Sequence, residues 1–84
     1  MKNLIDDIKR IRTLNELIRS EKTGPPEKCA ETMKCSPSAF FYLLRLYKRI
    51  LRPHGVSIIF DEEFQTYRYS KRGSLVIEIT FKED

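Results

Sequence analysis

The apolar pattern of this chain changes period once, at Arg52-Pro53-His54-Gly55, and that change limits what the chain can fold into. Before it, apolar residues recur at steps of three and four. After it, they alternate. Proline cannot continue a helix because it lacks an amide hydrogen, and glycine lets the chain reverse, so the helical part ends here. Helices followed by strands predict an α+β domain. A chain of 84 residues buries only about 60 to 65 per cent of its unfolded surface, which predicts one domain over 1–84.

The first helical pattern covers residues 1–20, where Leu4, Ile5, Ile8, Ile11, Leu14, Leu17 and Ile18 spread over an arc wider than one contact requires. Leu14, Leu17 and Ile18 are assigned to the core. Leu4, Ile8 and Ile11 are assigned to a second surface, and a homodimer through this helix is one expectation. Asn15 would then be the polar register residue of a short coiled-coil seam. Packing of the stripe on the chain's own strands is the alternative.

A polar loop, Glu21 to Gly24, precedes two shorter helices within 26–51. Pro25-Pro26 opens the helix Pro26 to Met33, with Gly24 biased toward extended geometry by the proline after it. Ser36-Pro37 opens the next, to about Leu51, with serine as N-cap and proline at the first helical position. Phe40, Leu43 and Leu44 form its buried stripe, and the small Ala30 marks where the two helices cross. Beyond Gly55, Val56 to Phe60, Thr66 to Tyr69 and Leu75 to Phe81 read as three antiparallel strands within 56–81. Turn chemistry stands at Asp61-Glu62-Glu63 and Lys71-Arg72-Gly73. The predicted core adds Cys29, Met33, Cys35, Ile58, Phe60 and Val76.

Cys29, Ala30, Met33, Cys35, Phe40 and Leu43 have the spacing of a helix-turn-helix. With GVSIIFD and TYRY behind them, they resemble the winged helix-turn-helix domains of prokaryotic transcription regulators. The resemblance runs from about Leu14 to Tyr69. It implies three helices, a three-stranded antiparallel sheet, and a second helix of the motif lying in the major groove of double-stranded DNA. It also implies base contact from the outward residues Ser36, Pro37, Ser38, Phe41, Tyr42 and Arg45, and phosphate contact is expected from the basic residues Lys34, Arg45, Lys48, Arg49 and Arg52. Lys34 stands at the turn position where the family usually has glycine, and a positive φ there costs a non-glycine residue about 1 kcal/mol. The wing tip, Asp61-Glu62-Glu63-Phe64-Gln65, is acidic where the family commonly brings basic residues.

Charge placement supports a polyanionic partner. Residues 26–55 carry six basic and two acidic side chains, a net of +4, against +2 for residues 1–25 and −2 for residues 56–84. A solvated helix face is the other reading of that excess. Exposed aromatics beside arginines, Phe41, Tyr42 and Tyr47, fit a protein–protein interaction module that does not contact DNA. An enzyme is not expected, because His54 is alone and neither a phosphate loop nor a nucleophile–base pair is present. Cys29 and Cys35 read as small core thiols, and His54 adds no compact metal-ligand spacing. No cofactor, metal or small-molecule substrate is expected. No apolar run reaches the ~20 residues of a membrane span, so the expectation is a cytoplasmic protein.

Overall fold

The computed structural model describes residues 4–73, 75–76 and 81–83. Helix α1 is Leu4–Arg19, α2 is Pro26–Thr32 and α3 is Pro37–Leu51, followed by a 3₁₀ turn at Arg52–His54. Strands β1, Ile58–Asp61, and β2, Thr66–Tyr69, form an antiparallel hairpin in which Ile58 faces Tyr69 and Phe60 faces Tyr67. The domain is therefore α+β, with two strands among the described residues and not three. Of the expected third strand, residues 77–80 lie outside the described residues. Leu75, Val76 and Phe81 are described and are not in a strand. No described helix is long and apolar enough to cross a membrane.

The helix boundaries follow local chemistry. The Ser36 hydroxyl oxygen accepts the Ala39 amide at 3.2 Å, and Pro37 takes the first position of α3. Pro26 does the same for α2. At the end of α2 the Lys34 amide donates to the Glu31 carbonyl and the Cys35 amide to the Ala30 carbonyl, both at 3.0 Å. This paired closure needs a left-handed residue, and Lys34 takes it with φ +56°. Helix α1 closes identically through Glu21, φ +54°. The two hydrogen bonds gained at each end offset the strain of a side chain in that conformation. Gly24, expected to be extended, is instead left-handed at φ +70°, an option open to it because it lacks a Cβ.

The core joins α1, α2, α3 and the hairpin. Leu14, Ile18, Cys29, Ala30, Phe40, Leu43, Leu44 and Ile58 are buried as expected. Leu17, Met33, Cys35 and Phe60 pack against them half-buried. Val76 does not belong to it, being 72% exposed on a segment outside the sheet. Ile11, assigned to a second surface, is buried in this core, because the spacing that places Leu14 and Ile18 inward places it there too. Leu4 and Ile5 are the large apolar residues of α1 left exposed. Tyr47, read as an exposed aromatic, is 0% exposed and stacks edge-on against Tyr69.

Two polar joints hold the hairpin to the helices. In the first, the Tyr67 amide, turned away from β1, donates to the Thr23 hydroxyl at 2.8 Å, and the Thr23 amide donates to the Thr66 hydroxyl at 3.3 Å. The loop after α1 is thereby fastened along the outer edge of β2. In the second, the Asn15 side chain meets the backbone of Leu75 in both directions, its Nδ2 donating to the carbonyl at 3.2 Å and its Oδ1 accepting the amide at 3.1 Å. The same Oδ1 accepts from the Tyr69 hydroxyl, which in turn contacts the Tyr47 hydroxyl. A carbonyl oxygen has two lone pairs, so one balanced arrangement is Tyr47 to Tyr69 to Asn15, with the Leu75 amide on the second pair. Asn15 is thus a buried bracket inside one chain, not a residue of an intersubunit seam.

Burial pushes the Tyr47 hydroxyl far above its ordinary range, and the bond with Tyr69 adds to the shift. Burial raises Tyr69 as well, with the Tyr47 bond pulling partly back. Tyr67 is raised by burial and then by Cys29 and Glu27. The Cys29 thiol is pushed up to about 11 by burial, with Cys35 adding to it. A thiol so held is neutral and unreactive at physiological pH, consistent with a core role.

Candidate nucleic-acid interface

Steps of 100° along α3 put Ser38, Tyr42, Arg45 and Arg49 opposite the buried stripe of Phe40, Leu43, Tyr47 and Leu51, with Phe41, Lys48 and Arg52 on one flank. Ser38, Phe41, Arg45, Lys48, Arg49 and Arg52 are exposed there, and Tyr42 is half-buried. The inner face alone determines this placement. Once Tyr47 and Leu51 are anchored in the core, the remaining positions have no other direction to take.

The second half of this face forms an open cleft of about 400 Å³ lined by Tyr42, Arg45, Leu46, Lys48, Arg49 and Arg52. Helix α3 contains no Asp or Glu. Two ion pairs among the described residues, Arg19 with Glu16 at 3.4 Å and Arg68 with Asp61 at 3.3 Å, involve none of these cations. Lys48 and Arg49 in the last turn suit the negative end of the helix dipole, which helps α3 tolerate the concentration of charge. The cleft is a cationic surface whose counter-charge must come from solution or from a ligand.

The remaining expected residues are placed less closely. Ser36 and Lys34 are exposed at the start of α3, and Arg52 lies just beyond its other end, so the stretch from Ser36 to Arg52 extends over roughly 24 Å at 1.5 Å per residue. Phe41 is 43% exposed and lies edge-on to the buried Phe40, with 5.4 Å between ring centroids. Tyr42 lines both the basic cleft and a smaller one shared with Asp7, Arg10 and Ser38.

The hairpin tip is chemically different. The Asp61 carboxylate accepts the amides of Glu63 at 3.0 Å and Phe64 at 3.2 Å while pairing with Arg68. The Gln65 side-chain amide donates to the Glu62 carbonyl at 2.7 Å. Glu62 and Glu63 are exposed, and Phe64 is 72% exposed. The tip is therefore ordered by its own side chains and presents carboxylates.

Lys71 and Arg72, outside the expected set, are exposed at the other end of β2. Lys71 packs against Gly55, where an added Cβ would come within 3.2 Å of its Nζ. The signal available in the sequence was the basic pair before Gly73. Comparison of the chain with protein-family models, curated proteins and solved structures finds no match. The functional reading therefore rests on the geometry of this surface.

Proposed function

We propose that this chain binds double-stranded DNA with modest sequence specificity, as a regulator of the winged helix-turn-helix kind, with the outer face of α3 in the major groove. The observation that carries the reading is the cleft of Arg45, Lys48, Arg49 and Arg52 on a helix without a carboxylate. An α-helix fits the major groove, which is about 12 Å wide, and a rigidly packed inner face holds such a helix in one orientation. Lys48, Arg49 and Arg52 neutralise phosphates, and each contact releases condensed counterions. Ser36 and Ser38 reach phosphate or base as hydroxyl donors. Arg45, nearest the middle of the face, is the residue with the fork geometry for a guanine edge, and Phe41 and Tyr42 suit thymine methyl groups. With one such reader, most of the affinity is sequence-independent.

The test is fluorescence anisotropy of a labelled random-sequence duplex titrated with the full chain at several salt concentrations. Affinity is expected at ~10⁻⁴ to 10⁻⁶ M at physiological salt, and Lys48→Gln with Arg49→Gln should flatten the log–log salt slope by about 1.8. Absence of binding at low salt overturns the proposal. The second reading, a protein-interaction module, is favoured by the exposed Phe41 and Phe64. It would be supported if Phe41→Ala abolished association with an isolated partner while duplex binding was absent.

A further inference from the structure

We infer that a bound duplex is held beyond α3 by Lys71 and Arg72, in the turn after β2, and that the β1–β2 tip stays off the phosphate backbone. The inference rests on the DNA-binding reading above. Three clefts share lining residues in succession. The cleft on the outer face of α3 shares Lys48 and Arg52 with a second, of about 350 Å³, that continues to Gly55 and Val56. Val56 also lines a third, of about 390 Å³, whose largely apolar floor of Leu51, Tyr69 and Leu75 is bordered by His54, Lys71 and Arg72. No Asp or Glu lines any of the three.

The crossing from one element to the next is at Gly55. A Cβ at Gly55 would stand 3.2 Å from the Lys71 Nζ, so the Lys71 ammonium lies close against the backbone that leads from the end of α3 into the hairpin. The result is a track of six cations, Arg45, Lys48, Arg49, Arg52, Lys71 and Arg72. Among the described residues none is in an ion pair. A continuous row of this kind fits a repeating anion such as a sugar–phosphate strand better than a single small anion. Arg72 can take one phosphate with two parallel bonds, and Lys71 serves as a mobile point charge.

The tip is excluded by charge and by distance. Its exposed residues are Glu62 and Glu63, and the nearby Arg68 is already paired with Asp61. It is separated from Lys71 by the length of β2, about 13 Å at 3.3 Å per residue. A backbone following the track therefore passes the base of the hairpin while the tip points elsewhere.

The experiment uses the full chain and the same labelled random duplex in a salt titration, with thermal melts to verify folding. Lys71→Gln with Arg72→Gln should lower the log–log slope by about 1.8, and Lys71→Gln alone by about 0.9. Glu62→Gln with Glu63→Gln should leave affinity and slope at wild-type values. If the Lys71/Arg72 variants keep the wild-type slope while Lys48→Gln with Arg49→Gln lowers it, the inference falls and the DNA reading stands. A steeper slope in the Glu62/Glu63 variant also overturns it, by placing the tip on the backbone. If wild type shows no salt-dependent binding, the DNA reading fails and this inference with it.

Discussion

The outer face of α3 and the tip of the β1–β2 hairpin are both exposed and both charged, yet their polar groups are committed differently. On the tip, Asp61 is bonded to two amides and one arginine, and Gln65 is bonded to Glu62. On α3, four cations share a cleft with no described carboxylate within ion-pair reach. Charges that build a turn are already used, whereas charges left without a counter-ion raise the local potential and remain available. The comparison explains why the tip is the weaker choice for contact with a polyanion.

The largest effect should come from undoing the joint that keeps both regions on one frame. Asn15→Ala would strand the Tyr69 hydroxyl proton and both backbone groups of Leu75, at a cost of about 2 to 4 kcal/mol in a urea melt. An unchanged midpoint would mean that Asn15 does not bracket the fold. Asp61→Ala tests the tip directly. It should destabilise by about 1 to 2 kcal/mol through the lost turn bonds and ion pair, while DNA affinity stays the same. A change in affinity without a change in stability would reverse the comparison. The smallest effect is expected at Lys34, where glycine relieves the left-handed backbone and should stabilise by about 1 kcal/mol. The same variant should flatten the salt slope by about 0.9, so a gain in stability with an unaltered slope would remove Lys34 from the interface.

The parts of this fold that the sequence announced are those decided by neighbours along the chain. Ser36-Pro37 marked the start of α3, Arg52-Pro53-His54-Gly55 its end, and Thr66 to Tyr69 coincided with β2. The outward set on α3 was legible because helical spacing alone sorts that helix into two faces. The buried place of Tyr47 was legible as well, since it continues the steps from Phe40, Leu43 and Leu44 to Leu51, although its place beside arginines suggested an exposed role. What remained hidden depends on partners far apart in sequence. Asn15 is satisfied by Leu75, 60 residues away, and Thr23 by Thr66, 43 residues away, and neither pairing leaves a local pattern. The proximity of Lys71 to Gly55 is of the same kind: only the folded hairpin brings the turn after β2 back to the end of α3.

The distribution of the aromatic phenols has an optical consequence. The chain contains four tyrosines and no tryptophan, so its near-ultraviolet signals come from tyrosine, with phenylalanine as a weak background. Tyr47, Tyr67 and Tyr69 sit where the helices meet the hairpin, and Tyr42 lines the cationic cleft. Near-ultraviolet circular dichroism is therefore weighted three to one toward the integrity of the joint. A ligand without near-ultraviolet absorption of its own, settling on α3, would disturb the chromophore lining the cleft and leave the other three as an internal standard within the same spectrum.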